Sequence, residues 1–291
     1  MAADAGLLTG HRGTVARVTT ETLTLGFVSD LHFGPEARFE GKLRKLTAHA
    51  GSLAAAAVAA VDRVGVDALV NLGDDIEDES RDLDLARYQE CQATLRHSKA
   101  PLVNVAGNHD LIHLKARDLL HAWEGSLGAP RSLHYSFDLR GWHLAVLHTV
   151  ERRDVDIAVS SEQLEWLRAD LAAARRPTVV LMHHSASEQE LEDSRWFSKA
   201  PHLALVKNRA ELRAVLEASG EVRAVFNGHL HRNHCDVIRG IPYVTVQSLV
   251  ENLEDDAPGL PAATWAVARL TASRVVVRVR GNDPARYQFE R

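Results

Sequence analysis

Five short strings in this chain gather Asp, Asn and His: Ser29-Asp30-Leu31-His32, Gly73-Asp74-Asp75, Gly107-Asn108-His109-Asp110, Met182-His183-His184-Ser185 and Gly228-His229-Leu230-His231. Imidazole is the commonest metal ligand and the side chain that titrates near neutral pH, so where the 16 histidines fall decides the chemistry. In Asp30-Leu31-His32 and His229-Leu230-His231 the polar residues are one residue apart. On an extended backbone, positions i and i+2 point to one side, so each pair is expected to present two ligands to a common face.

The strings sit where an alternating β/α pattern would put them. Apolar runs over 22–28, 67–72, 102–106, 178–182 and 222–226 read as strands, each running into one of the strings. Helical stretches over 43–64, 83–97 and 209–218 separate them, and Ser160 or Ser161 caps an amphipathic helix to 174 with Leu164, Leu167 and Leu171 on one face. Segments 134–138 and 142–148 read as a hairpin, and 243–246, 264–270 and 274–279 as antiparallel strands. Ligands of open α/β sheets gather at the carboxyl ends of strands, so side chains far apart in sequence are expected to meet there. No linker or internal repeat divides the chain, and residues 1–291 are expected to form one domain.

Composition narrows the partners. Lys plus Arg number 34 against 39 Asp plus Glu, a net charge of -5, which with no basic stripe in the sequence argues against a nucleic acid polymer. Two cysteines, Cys91 and Cys235, build no disulfide framework and no thiolate metal site. No basic start followed by an apolar core resembles a secretory signal, and the longest apolar run, 53–61, falls short of the roughly 20 residues a membrane span needs. A cytoplasmic protein without membrane partners is the expectation.

Taken in order, SDLH, GDD, GNHD, MHHS and GHLH resemble the motifs of the calcineurin-like metallophosphoesterases, spanning residues 30–231. The resemblance implies an α/β fold, an αββα sandwich of two mixed sheets flanked by helices. It also implies two divalent metals, one held by Asp30, His32, Asp74 and His231, the other by Asp74, Asn108, His183 and His229, with Asp74 bridging. Nitrogen and oxygen donors without sulfur suit Mn, Fe or Zn, with Mn favoured. In such a site a metal-bridging hydroxide attacks phosphorus, and Gly73 lets backbone and metals approach closely. His109 corresponds to the family's catalytic histidine, with Asp110 as the carboxylate that orients it. The fourth string lacks the proline frequent in the family, which leaves the loop after His183 less constrained.

Two subgroups are similar: compact cyclic-nucleotide phosphodiesterases, and manganese-dependent ADP-ribose and CDP-alcohol diphosphatases, the latter through 160–167 and 246–281. The expected activity is hydrolysis of a phosphodiester or pyrophosphate bond in a small nucleotide-like substrate. Few cations stand near the strings, chiefly Arg195 and Arg232, which favours diesters over monoester dianions. His113, His184, Arg232 and Trp196 are candidate substrate contacts, with Trp196 and Phe197 a lid or ordinary core. A phosphomonoesterase and a non-catalytic metal-binding scaffold are the alternatives.

Overall fold

The computed structural model describes residues 21–153 and 155–290; the expected edge strand or arm before residue 20 lies outside them. Strands β1 (Leu23–Val28), β2 (Ala68–Asn71) and β3 (Leu102–Asn104) run parallel, with β12 (Trp265–Thr271), β13 (Arg274–Arg280) and β14 (Arg286–Glu290) added antiparallel, in the order β14-β13-β12-β1-β2-β3. The second sheet, β10-β11-β9-β8-β5-β4, joins β4 (Tyr135–Leu139), β5 (Trp142–Val146), β8 (Thr178–Leu181), β9 (Val222–Asn227), β10 (His234–Ile238) and β11 (Ile241–Thr245). A small hairpin, β6 (Val150–Arg152) with β7 (Asp156–Ala158), stands apart.

The sheets pack face to face, as the alternation along their strands requires: Phe27 of one stacks on Phe226 of the other, ring centroids 4.4 Å apart. Helix α1 (Ala50–Val64) lies so close to β1 that a Cβ on Gly26 would come within 2.6 Å of Val61. Helix α2 (Arg81–Leu95) follows β2, α3 (Ala116–Ala122) follows β3, and α4 (Ser161–Ala174) and α5 (Arg209–Ser219) bury Leu164, Leu167, Leu171, Leu212 and Leu216 against the second sheet. Ser160 caps α4, accepting from Gln163 N. This is the expected αββα sandwich.

Three expectations change. The helix expected from residue 43 begins at Ala50, because Leu43 and Leu46 give their backbone N–H groups to Asp255 and Val250 of a distant loop. Residues 183–187 are buried, and Ser185 bridges Leu205, so hydrogen bonding fixes the loop that lacks a proline. A basic face also exists. Arg269, Arg274, Arg278, Arg280 and Arg286 share the exposed side of β12, β13 and β14, with Arg278 directly opposite Arg286. Composition hid it, and it begins at the end of β1 away from Asp30, with Arg269 across from Thr24.

Candidate metal centre

The carboxyl ends of β1, β2, β3, β8 and β9 deliver the five strings to one place, joined by backbone bonds beyond the strands. Asp30 N donates to Gly73 O and His32 N to Asp74 O, at 2.9 and 3.0 Å. The expectation that the i, i+2 pairs use extended backbone is corrected: Asp30, His32, Asp74, His229 and His231 all have φ between 47° and 68°. Left-handed backbone at five non-glycine positions costs on the order of 1–3 kcal/mol each and marks a site held in place by its surroundings.

Glycines make the close approach possible. A Cβ on Gly228 would lie 1.9 Å from Ser29 Oγ and 2.5 Å from Asp30 Oδ2, and the Asp30 carboxylate accepts from His229 N. Gly73 serves differently from expectation: it packs against the Gly107 backbone, where its Cβ would come within 2.6 Å of nitrogen, rather than making room for metals.

The donor geometry can be tested for a cation. His183 Nδ1 donates to Leu72 O at 2.8 Å, since a carbonyl only accepts, so neutral His183 turns a bare Nε2 lone pair toward Asp74 Oδ2 at 3.2 Å and Asn108 Oδ1 at 3.1 Å. Three acceptors aimed at each other need a positive charge between them. Likewise His231 Nδ1 bonds Glu251 Oε2 at 2.8 Å, and His32 Nδ1 lies 3.0 Å from Glu77 Oε2 as an ion-pair contact off the N–H axis. Their Nε2 atoms then face each other at 3.0 Å, with Asp30 Oδ1 3.4 Å from that of His231. His229 Nε2 donates to Leu203 O at 2.8 Å, leaving Nδ1 as its lone pair. Asp30-His32-His231, Asp30-Asp74-His183 and His183-His184-His229 each bring potential ligand atoms within 4.8 Å of one another, and Asp30 belongs to two of these groups. The residues fit divalent cations.

Electrostatics agree. Burial opposes a charged His183, but the Asp74 and Asp30 carboxylates outweigh it and push the imidazole up to about 10. Against the same burial, Asp30 and Glu251 push His231 up to about 9. Burial and neighbouring cations carry His32 down to about 4, and burial beside His183 carries His229 down to about 3. Burial tends to raise Asp74, yet the surrounding imidazoles hold it well below the usual carboxylate range. Both shifts show that the carboxylates favour positive charge at His183 and His231, the place a cation would take.

His109 lines the adjoining cleft, and its orienting carboxylate is not Asp110. His109 Nδ1 bonds Asp78 Oδ1 at 2.6 Å, whereas buried Asp110 accepts from the backbone N–H groups of Asp74, Asp75 and Gly107 at 2.8–3.0 Å. A short carboxylate on the very next residue of a tight turn is better spent tying loops together. Burial works against the His109 charge, but Asp74 and the Asp78 bond raise its imidazole above the ordinary value.

The other candidates part company. Trp196 lines the cleft; His113 instead bonds Asp84 at the start of α2, and Arg232 holds Gln189 Oε1 and Glu190 O. His184 is fully buried, bonded to Thr149 Oγ1 and packed on His229 with ring centroids 4.0 Å apart, out of a substrate's reach. Arg195 pairs with Glu251 and Asp255. Sequence reasoning missed Glu77, Asp78 and Glu251; the run Ile76-Glu77-Asp78-Glu79 just after the second string was the available signal for two of them.

The two-sheet sandwich and the clustered strings define a phosphoesterase-type architecture, and comparison with known proteins agrees. The family model of the calcineurin-like phosphoesterases matches residues 23–233, and the chain belongs to that family. It is 25% identical over 217 residues to a probable cyclic nucleotide phosphodiesterase of Synechococcus sp., covering 72% of this chain and 74% of that one. A protein of the same description from Psychrobacter sp. is 24% identical over 55% of this chain, which spans 46% of that relative's length. A dimetal phosphatase from Danio rerio superposes with a TM-score of 0.74 over 92% of this chain and 98% of its own, at 18% identity. Among the described residues, no helix is long and apolar enough to cross a membrane.

Proposed function

We propose that the chain hydrolyses a phosphodiester or pyrophosphate bond of a small nucleotide-like substrate, using two divalent cations. The carrying observation is the His183 Nε2 lone pair facing Asp74 and Asn108 oxygens at 3.2 and 3.1 Å, beside the paired His32 and His231 nitrogens. Asp30, His32, Asp74 and His231 would hold one cation and Asp74, Asn108, His183 and His229 the other; that the Danio rerio neighbour is described as a dimetal phosphatase supports two. Bound there, the metals supply an activated water and neutralise charge on the phosphoryl oxygens, with Mn favoured.

The chain's own residues supply the rest. His109, fixed through Nδ1 by Asp78, has its other ring nitrogen left to protonate the leaving alkoxide. A cleft of about 330 Å³ opens beside it, lined by Asn108, His109 and His229 together with the aromatic rings of Phe39, Trp196 and Phe197. That aromatic wall suits a flat organic group on the far side of phosphorus. Cations along the cleft are committed, Lys45 to Glu77 and Arg38 to Asp256, so a monoester dianion would find little unpaired positive charge. That the Synechococcus and Psychrobacter relatives are described as probable cyclic nucleotide phosphodiesterases supports the same direction.

The test is turnover of bis(p-nitrophenyl) phosphate, cyclic nucleotides, ADP-ribose and p-nitrophenyl phosphate with added Mn, Fe or Zn. Diester or pyrophosphate hydrolysis exceeding monoester hydrolysis is expected. Faster monoester turnover would make the protein a phosphomonoesterase, and no turnover with metal bound would make it a scaffold.

A further inference from the structure

Glu251 stands outside the five strings, on the loop after β11, yet it is fully buried and reaches both the ligand His231 and the cleft wall at Trp196. Its Oε2 accepts from His231 Nδ1 at 2.8 Å and from Trp196 Nε1 at 3.0 Å, while Oε1 pairs with Arg195 at 2.9 Å. Trp196 touches the same imidazole directly, its ring edge-on to that of His231 with centroids 5.1 Å apart. A second path runs parallel. Glu77, which backs His32, pairs with Lys45, whose ammonium sits 5.3 Å from the centre of the Trp196 ring. Both carboxylates behind the first pair of imidazoles therefore also hold the tryptophan that walls the cleft.

We propose that Glu251 is a positioning residue shared by His231 and Trp196, so that filling the cation position at Asp30, His32 and His231 and setting the aromatic wall are one coupled event; this rests on the metal reading above. The reason is competition for one oxygen. A cation on His231 Nε2 would change how strongly Nδ1–H donates, and with it the hold on the Glu251 oxygen that also takes the indole N–H. Coupling of this kind is reciprocal: a substrate that presses on Trp196 changes affinity for the cation by the same factor as the cation changes affinity for the substrate. A wall held only by packing would feel nothing.

The experiment titrates the metal-free full chain with Zn2+, a diamagnetic probe, following binding by calorimetry and indole emission by fluorescence. Trp196→Phe identifies which part of the emission change belongs to Trp196. Wild type is expected to show a zinc-dependent change that Trp196→Phe lacks. Glu251→Gln should retain the Trp196 emission, lose its response to zinc, and bind zinc at the tighter position about 10–100-fold more weakly. Wild-type zinc affinity in Glu251→Gln, or survival of the Trp196 response, would overturn the proposal. Should Glu251→Gln fail to fold, Trp196→Phe decides alone: zinc affinity altered by more than about twofold supports the coupling, and unchanged affinity refutes it. If wild type itself binds no zinc, the metal reading fails first, and the two failures stay distinct.

Discussion

The two halves of the site are built from the same residue types and supported in opposite ways. His32 and His231 rest on carboxylates, Glu77 and Glu251, whereas His183 and His229 donate to neutral backbone carbonyls, those of Leu72 and Leu203. A carboxylate behind an imidazole raises its basicity and brings a negative charge toward the cation; a carbonyl fixes tautomer and orientation with little charge. The first half can therefore be weakened by changing a side chain. The second is written into the main chain, and only the ligands themselves can be altered.

The largest effect expected is at Asp74, which would serve both cations, facing His183 Nε2 at 3.2 Å, and also accepts from His109 N. Asp74→Ala should remove metal from both positions and abolish turnover, measured by metal content and bis(p-nitrophenyl) phosphate assay; retention of either metal would show that the halves are independent. His109→Ala should lower kcat by about 10²–10⁴-fold while sparing metal content, as the proton transfer proposed for it requires. Asp78→Asn should reproduce part of that loss and Asp110→Asn should not mimic its pH profile, since only Asp78 touches the imidazole. Glu77→Gln should weaken the first half alone by about 10–100-fold in metal affinity; equal weakening of both positions would erase the contrast.

The smallest effect is on stability of the metal-free chain. His183 and His231, raised to about 10 and about 9, stabilise the fold below their unfolded value near 6.5 and cease to do so as pH climbs through those values. His32 and His229, lowered to about 4 and about 3, act oppositely: their contribution is present above 6.5 and is lost as pH falls. The Tm should peak near pH 6.5 and fall on both sides. Loading with metal should flatten the alkaline limb, because metal-bound imidazoles no longer titrate. A Tm still rising from pH 7 to 9 without metal would contradict the assignment.

The distribution of legible and hidden features follows the same contrast. The strands that carry the five strings could be read because each string directly follows an apolar run, as Gly73-Asp74 follows Ala68–Asn71, whereas β6, β7, β10 and β14 were not read. Ser160 and the leucines of α4 were legible for the same local reason. Glu251 was not, since its contact with His231 depends on how a loop 20 residues away in sequence folds back over the sheet edge. Asp78 lost out to Asp110 because adjacency in sequence favours the neighbour, while the turn after Asn108 directs the Asp110 carboxylate at three backbone N–H groups instead. The left-handed backbone at Asp30 and His32 was equally hidden, because alternation in sequence reads as extended chain. The arginine face escaped since its members alternate with buried valines on β13 and with buried alanine and leucine on β12, and meet only across the sheet.

Metal stoichiometry puts the account most directly at risk. Purified protein, stripped and then titrated with Mn2+ or Zn2+ by calorimetry with elemental analysis, should bind two ions per chain, the tighter lost selectively in Glu77→Gln. Binding of none, or of a single ion indifferent to both Asp30→Ala and His183→Ala, would contradict it.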